Sequence, residues 1–403
     1  MNTMKIPFGT ISITQRARDL IDQALDAKRV SCGRLCHQFE TEFAKLIGVS
    51  HAVAVATGTD AVALALASLH DFGAEAGDEV IIPALSFVAT GNAVLHARFT
   101  PRFVDVESDT LNIDFKRIEE VINERTRAIV AVHLMGKPAA MDEIMAIAKR
   151  YGLIVIEDAA EAHGMLYKDR PAGSIGDMGA FSLYVAHIIS TIEGGIISTN
   201  RKDLAEILIS LRSHGRACSC VTCTLSTTQT YCPKRFDPKT REDIRFTFPR
   251  VGYSCKMNEL EAAIGIGNIE LYDNIVHTRH ENLKYVLDRF DKFSPYISTI
   301  REEEHEFIGP HAIPIWLSEQ ASFSRADLTN YLEQCNIETR NLFQSMPTQC
   351  PGFANLGYKL GDFPTAEYMG NNGIHIGCHH DLTTEHMEYF LHHITKFLER
   401  YQN

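Results

Sequence analysis

The chain has 403 residues, of which 45% are hydrophobic and 22% are charged, and this size favours two or three globular domains. The formal net charge of −12 argues against general nucleic-acid binding, which needs a basic surface. No run of about 18 apolar residues is present, and the first twenty residues lack the apolar core of a signal peptide, so we expect a cytoplasmic protein without a membrane span.

The first half of the chain alternates short apolar runs with helical patterns. The apolar runs are continuous and rich in β-branched residues, as in strands buried on both faces, and lie at 53–56, 80–83, 128–133 and 153–158. Helical periodicity follows at 60–72, 86–97 and 139–152. Because strand and helix alternate, the sequence predicts an α/β domain with a mostly parallel sheet.

The pattern changes at segment 216–250, which is rich in Cys, Thr, Pro and charged residues and lacks clear periodicity. A loop of this length in a folded domain is usually functional. Helical periodicity returns from Met257, and short strands and helices mix in the tail. We therefore predict a large domain over 1–250, including the Cys-rich loop, and a smaller α+β domain over 251–403.

Ten cysteines are present, and a disulfide framework is improbable for a long cytoplasmic chain. Four of them fall within fifteen residues: Cys218, Cys220, Cys223 and Cys232. Thiolates at this density favour an Fe–S cluster or a Zn²⁺ ion, and unmetallated thiols are the alternative.

Two short motifs lie where strands should end. Gly58 and Thr59 follow the first predicted strand and open a helix, so their backbone amides could hold an anion, although an ordinary turn reads the same way. Asp158 ends the fourth predicted strand, at the sheet edge where α/β proteins bind ligands. Its carboxylate could pair with a cationic heterocycle, and a helix cap is the alternative.

The stretch 181–195, FSLYVAHIISTIEGG, is the most informative. Together with GTDAVALALASL, GDEVIIPALSFVATGNAV, IEDAAEAHG and AGSIGDMGAFSLY in this order, it resembles the DegT/StrS-type sugar aminotransferases, which depend on pyridoxal 5′-phosphate (PLP). The resemblance runs from about Ile6 to the last helix. It implies the fold-type I architecture, a homodimer with sites at the subunit boundary, and a nucleotide-sugar substrate.

His187 departs from the aminotransferase pattern. The aminotransferases have a lysine here that holds PLP as a Schiff base, which imidazole cannot form, and no lysine lies between Lys168 and Lys202. The same change marks the branch of NDP-4-keto-6-deoxyhexose 3-dehydratases, which remove the C3 hydroxyl in 3,6-dideoxysugar biosynthesis. The resemblance thus implies pyridoxamine phosphate (PMP) as cofactor and His187 as a base that titrates near neutrality.

The resemblance also implies roles for other residues by position. Asp158 would pair with the pyridine N–H, Phe87 would stack on the ring, and Glu161 stands where relatives often have Gln near the cofactor hydroxyl. Phosphate contacts are implied for Gly58, Thr59 and Ser182, and Ser254 matches an Asn that reaches the phosphate of the neighbouring subunit. Substrate contacts are expected from His214, Arg216 and Arg340.

The cysteine segment resembles the iron–sulfur subgroup of these dehydratases, typified by CDP-4-keto-6-deoxyglucose 3-dehydrase. This likeness implies a [2Fe–2S] cluster on Cys218, Cys220, Cys223 and Cys232, with electrons from a separate flavin/Fe–S reductase. The alternatives are a cluster-independent 3-dehydratase regenerated by glutamate, a nucleotide-sugar aminotransferase that uses another lysine, and a pseudoenzyme that keeps only the fold.

Overall fold

A computed structural model of the chain describes residues 4–218, 220, 224 and 231–401. Its largest element is a seven-stranded sheet in the order β1-β9-β8-β5-β4-β2-β3. Strand β9 runs antiparallel to both of its neighbours, and the other adjacent pairs are parallel. These strands are β1 (His51–Val55), β2 (Glu79–Pro83), β3 (Thr100–Val104), β4 (Thr126–Val132), β5 (Ile154–Asp158), β8 (Met178–Ser182) and β9 (Gly195–Thr199).

Side chains from one strand enter two different cores. Val53 and Val55 of β1 lie in one apolar cluster, whereas Ala52 and Ala54 lie in the other. Because neighbouring side chains of a strand point to opposite faces, continuous apolar runs cover both faces of the sheet. The fold is therefore a layered α/β structure, as the sequence predicted.

Helices cover both faces. One cluster takes residues from α3 (Gly58–Ala67), α4 (Val88–His96) and α7 (Lys202–Leu211). The other cluster takes residues from α1 (Gln15–Asp26), α2 (Arg34–Ile47), α5 (Ile118–Val121), α6 (Met141–Tyr151) and α8 (Glu259–Glu270). Among the described residues, no helix is long and apolar enough to cross a bilayer.

A second, antiparallel sheet lies in the C-terminal part, in the order β10-β12-β14-β13. Its strands are β10 (Ile297–Thr299), β12 (Ala312–Leu317), β13 (Thr339–Asn341) and β14 (Gly373–Gly377). The helices of this part are α9 (Tyr272–Leu287), α10 (Arg325–Gln334), α11 (Met346–Gln349), α12 (Pro364–Asn372) and α13 (Thr384–Leu398). This large, mostly parallel sheet with a smaller antiparallel one is the fold-type I architecture. The boundary between residues 250 and 251 stays a prediction.

A third, small sheet joins the two parts of the chain. It contains β6 (Leu166–Tyr167), β7 (Arg170–Pro171) and β11 (Glu306–Phe307) in the order β11-β6-β7. Between α7 and α8, residues 231–250 contain neither helix nor strand, and an isolated bridge joins Phe236 to Asp243.

Candidate active site

A cavity of about 570 Å³ lies at the carboxyl ends of the parallel strands. Five of the strands, β1, β2, β4, β5 and β8, supply its floor, because they are followed by or end in the lining residues Thr57, Phe87, Val132, Asp158 and Ser182. The C-terminal part closes the cavity with His311, Arg340, Asn341, Phe343 and His375. This placement is the ligand position expected for an α/β sheet.

One end of the cavity is made of backbone amides and hydroxyl groups. The Thr57 hydroxyl caps α3 by accepting a hydrogen bond from the Asp60 amide at 3.0 Å. A Cβ atom on Gly58 would lie only 2.6 Å from the Cβ atom of Ser182, so the α3 backbone approaches β8 more closely than a side chain allows. The first amides of α3 thus face the cavity beside the Ser182 hydroxyl, which suits an anion.

The two carboxylates at the end of β5, Glu157 and Asp158, make different contacts. Glu157 is fully buried and accepts hydrogen bonds from the amides of Gly173, Ile175 and Gly176 at 2.7–2.9 Å, so it fixes the following loop. Asp158 lines the cavity and accepts hydrogen bonds from Thr90 Oγ1 at 2.8 Å and the Ala160 amide at 3.3 Å. Burial raises the pKa of Asp158, while both hydrogen bonds favour its charged form.

His187 lies in the loop between β8 and β9 and lines the cavity. Its Nδ1 atom is buried without a hydrogen-bond partner. Burial, together with the nearby His163 and Arg279, lowers the pKa of His187 to about 3. Desolvation of the imidazolium thus places this pKa below the near-neutral range that the resemblance implies, and the role of His187 as a base stays a prediction.

Two further histidines, His311 and His375, lie near His187. The sequence gave no sign of His311, whereas His375 opens the segment 375–383, which resembles stretches near the sugar site of relatives. His311 precedes β12 and has its ring centroid 4.8 Å from that of His187, and His375 of β14 lies 6.5 Å from His311. Their Nδ1 atoms are also buried without partners, and burial lowers the pKa of His375 to about 3 and that of His311 well below its usual value. Only the tertiary fold brings them together, since both come from the C-terminal sheet.

Glu161 lies in the turn after β5 and faces this histidine cluster. Its Oε2 accepts a hydrogen bond from the Met135 amide at 2.8 Å, and its Oε1 lies 3.8 Å from His311 Nε2. Burial and the nearby Asp158 raise its pKa to about 8, so the carboxyl group is mostly protonated at pH 7. In that state it donates and accepts hydrogen bonds, as a glutamine amide does.

Phe87 and Arg340 form the more open side of the cavity. Phe87 is 57% exposed, with its ring 5.5 Å from that of Phe343. The Arg340 guanidinium stacks on Phe8, 3.7 Å from the ring centroid, and about half of its side chain stays exposed. An aromatic face and a cation are thus available to an entering ligand.

Three of the sequence-predicted residues lie outside this cavity. His214 is exposed and holds its backbone at φ 67°, with its amide donating to Tyr253 O at 2.7 Å. Ser254 forms a bridge with Ser213, and the Arg216 carbonyl accepts a hydrogen bond from the Ser210 hydroxyl. Their roles, one of them across a subunit boundary, stay predictions.

The cysteine segment gives no complete ligand set within the described residues. Cys223 lies outside them, whereas Cys218, Cys220 and Cys232 are partly buried. The pKa of Arg245, raised mainly by its hydrogen bond to Asp243, is raised further by Cys232 and Cys218, so these two thiols lie near one guanidinium. Among the described residues, no three Cys, His, Asp or Glu side chains converge as metal ligands.

The lining residues fit a pyridoxamine phosphate. The amides of α3 suit its phosphate, the buried Asp158 suits its protonated pyridine nitrogen, and the His187 imidazole lines the same cavity. No lysine lines the cavity in the part of the chain that the structure describes, so an amine that holds PLP covalently is absent from the lining.

Comparisons with known proteins agree with this geometry. A model of the DegT/DnrJ/EryC1/StrS aminotransferase family matches residues 12–395. The chain is 33% identical to a dTDP-4-dehydro-2,6-dideoxy-D-glucose 3-dehydratase of Saccharopolyspora spinosa, over 98% of this chain and 86% of that protein. It is 34% identical to a GDP-perosamine synthase of Caulobacter vibrioides, over 91% of each chain.

A solved structure of GDP-4-keto-6-deoxymannose-3-dehydratase with a trapped PLP-glutamate geminal diamine is also similar. The TM-score is 0.84 at 27% identity, and the match covers 97% of this chain and 100% of that one. Because sequence and fold agree over nearly the whole length, the chain belongs to the DegT/DnrJ/EryC1/StrS aminotransferase family of PLP-dependent enzymes.

Proposed function

We propose that this protein removes the C3 hydroxyl of an NDP-4-keto-6-deoxyhexose, with PMP as cofactor and His187 as the base. One observation carries the proposal: a histidine, His187, lines the cavity, and no lysine among the described residues does. The likeness to 3-dehydratases over nearly the whole chain supports it.

Bound PMP supplies an amine that reacts with the C4 ketone of the sugar and a ring that accepts electron density. The amides at the start of α3, with Thr59 and Ser182, hold the phosphate. Asp158 would accept a hydrogen bond from the pyridine nitrogen and keep it protonated. Phe87 would stack on the ring.

His187 moves the proton. A neutral imidazole accepts the proton from the cofactor C4′ carbon and returns it to the departing C3 hydroxyl. Burial disfavours the imidazolium and lowers the pKa of His187, so the ring would enter the reaction as the neutral base.

Glu161 and Arg340 orient the two ligands. The protonated Glu161 carboxyl donates to the cofactor hydroxyl, as a glutamine would, and Met135 fixes its other oxygen. Arg340 at the open side suits the diphosphate or a sugar hydroxyl. We expect His214 and Arg216 to contact the substrate, and Ser254 to reach the phosphate of the neighbouring subunit in a homodimer. Light scattering of the purified protein tests the dimer.

The test is to incubate the purified protein with PMP and an NDP-4-keto-6-deoxyhexose and analyse the product. A 3-dehydratase releases its cofactor on denaturation, gives no borohydride-fixed cofactor on the protein, and yields a 3-deoxygenated sugar. An aminotransferase instead retains cofactor after borohydride treatment and yields a 4-amino sugar. The second result overturns the proposal.

PMP can be regenerated by two routes, which differ in the source of electrons. The solved dehydratase with a trapped PLP-glutamate geminal diamine supports regeneration by glutamate, and the four clustered cysteines favour a reductase-fed [2Fe–2S] centre. Anaerobic purification followed by assays for iron and acid-labile sulfide distinguishes them. Turnover with glutamate alone, in protein without iron, assigns the first route.

A further inference from the structure

Arg279 of helix α9 is the largest side chain that the described part of the chain buries completely, at 1% exposure. Its Nη2 donates a hydrogen bond to the backbone carbonyl of His187 at 3.4 Å. Its Nη1 donates to the carbonyls of Pro310 and His311 at 3.3 and 3.2 Å. One guanidinium thus joins the loop between β8 and β9 to the segment that precedes β12.

The two segments meet at the cofactor cavity. His187 and His311 both line it, and the centroids of their rings lie 4.8 Å apart. Arg279 is not among the lining residues, so it contacts the main chain of these histidines from the side away from the cavity. Any effect of Arg279 on the reaction therefore passes through residues that do line the cavity.

The same face of α9 also packs on the residue that follows His187. Ile188 lies in one apolar cluster with Ile275 and Val276, which precede Arg279 by one helical turn. Side chains three and four positions apart lie on one face of a helix. Helix α9 thus holds this point of the loop by apolar packing and by a hydrogen bond.

Packing alone does not favour an arginine at this position. Burial of a charge costs free energy, and the Nε of Arg279 is buried without a hydrogen-bond partner in the described chain. The guanidinium offers instead a planar set of donors in fixed directions. The amide of His187 donates within its own loop, to Tyr184 O at 2.9 Å, so its carbonyl is the backbone group that Arg279 can hold from outside the loop.

We propose that Arg279 is a positioning residue, which fixes the main chain of His187 so that the imidazole keeps its place in the cavity. The inference rests on the proposed function, in which His187 moves a proton. The aminotransferases fix this point of the chain through the bond between their lysine and PLP, and a histidine forms no such bond. The position of His187 therefore depends on contacts within the protein, and a displacement of about 1 Å can lower a rate about 100-fold.

Two variants of Arg279 test this role. Arg279→Met removes all donors at a similar side-chain length, and Arg279→Lys keeps the charge and part of the hydrogen bonding. With PMP and an NDP-4-keto-6-deoxyhexose, kcat should fall about 100-fold in Arg279→Met and about tenfold in Arg279→Lys. The KM for the sugar and the Kd of PMP should change less than about twofold, because neither ligand contacts Arg279.

The matched control is Arg289→Met, at an exposed arginine just beyond α9 that stacks on Tyr285, and it should keep the wild-type kcat. Circular dichroism verifies that each variant is folded. Should Arg279→Met not fold, Arg279→Lys carries the same tests with the smaller effect.

A double-mutant cycle separates positioning from a general effect on the fold. In the His187→Asn background, Arg279→Met should change the residual kcat less than about twofold, because no base remains to be positioned. A loss as large as in the wild-type background would overturn the proposal. Wild-type kcat in Arg279→Met would overturn it as well.

Hydrogen exchange of the full-length protein gives a readout that needs no turnover. Peptides that cover 183–194 should exchange faster in Arg279→Met than in the wild type, whereas peptides that cover β1 should not change. If the wild type does not deoxygenate the sugar, the proposed function fails, and the exchange rates still decide whether Arg279 fixes this loop. Unchanged exchange at 183–194 would overturn the inference.

Discussion

The two ends of the cofactor cavity differ in the kind of polar group that lines them. At the α3 end, backbone amides and hydroxyls carry fixed partial charges, and Gly58 allows the close approach to Ser182. At the other end, the histidines 187, 311 and 375 and Glu161 are titratable groups that burial holds neutral. One cavity thus combines an end whose hydrogen-bond donors do not titrate with an end whose side chains do titrate.

The largest expected effect is at His187. His187→Asn keeps the polar contacts but loses the base, so the deoxygenation rate should fall about 10²–10⁴-fold while PMP still binds. A steady-state assay with a fluorescence titration of PMP checks both. Full activity in His187→Asn would remove the imidazole from the mechanism, and loss of PMP binding would assign it to the anchor.

Glu161→Gln tests the titratable end through the pH dependence of the free energy of unfolding. The pKa of Glu161 is about 8 in the folded chain against roughly 4.3 unfolded, so the folded state binds more protons and loses stability as pH rises through that window. Glutamine removes this loss, and the variant should gain on the order of 1–3 kcal/mol at pH 7–8 and little at pH 4.5. Urea unfolding at several pH values measures it. A gain that does not change with pH would contradict the assignment.

Gly58→Ala tests the fixed end. The added Cβ would meet the Ser182 side chain at 2.6 Å, so either β8 or the helix must shift. We expect PMP affinity to fall about tenfold or more at every pH, because displaced amides contact the phosphate less well. Gly352→Ala, with open space around its Cβ position, is the control and should bind normally.

The smallest expected effect concerns the slope of the free energy of unfolding against pH, to which His375 contributes. The pKa of His375 is about 3 folded against roughly 6.5 unfolded, so the unfolded chain binds more protons and stability falls as pH drops through that window. His375→Asn should reduce this slope by about 1 kcal/mol per pH unit. His277→Gln, at an exposed histidine of α9, should leave the slope unchanged.

The sequence could place Gly58 and Asp158 at one edge of the sheet because their signals are local. The apolar runs gave the strands, and Gly58 and Asp158 followed directly from strand ends, where the sheet edge places them together. The resemblance added His187, Ser182 and Phe87, which all line the cavity.

The titratable end could not be predicted in the same way. His311 and His375 come from a different sheet, and no spacing in the sequence connects them to His187. The low pKa of His187 could not be predicted either, because desolvation depends on the packing of the whole cavity. The predicted ligand Cys223 lies outside the described residues, so the cysteine cluster stays a prediction.

The carboxylate of Glu259 has a consequence for biosynthesis. It accepts hydrogen bonds from the amides of Gly33, Leu35 and Cys36 at the start of α2, and it lies 223 residues later than Cys36. These amides therefore lack their partner until that residue has left the ribosome. Non-local contacts of this kind slow folding, and the early segments of the chain stay incompletely folded until the later ones are synthesised. We expect the N-terminal helices of a nascent chain truncated before residue 259 to remain sensitive to protease, whereas chains released after α8 acquire protection.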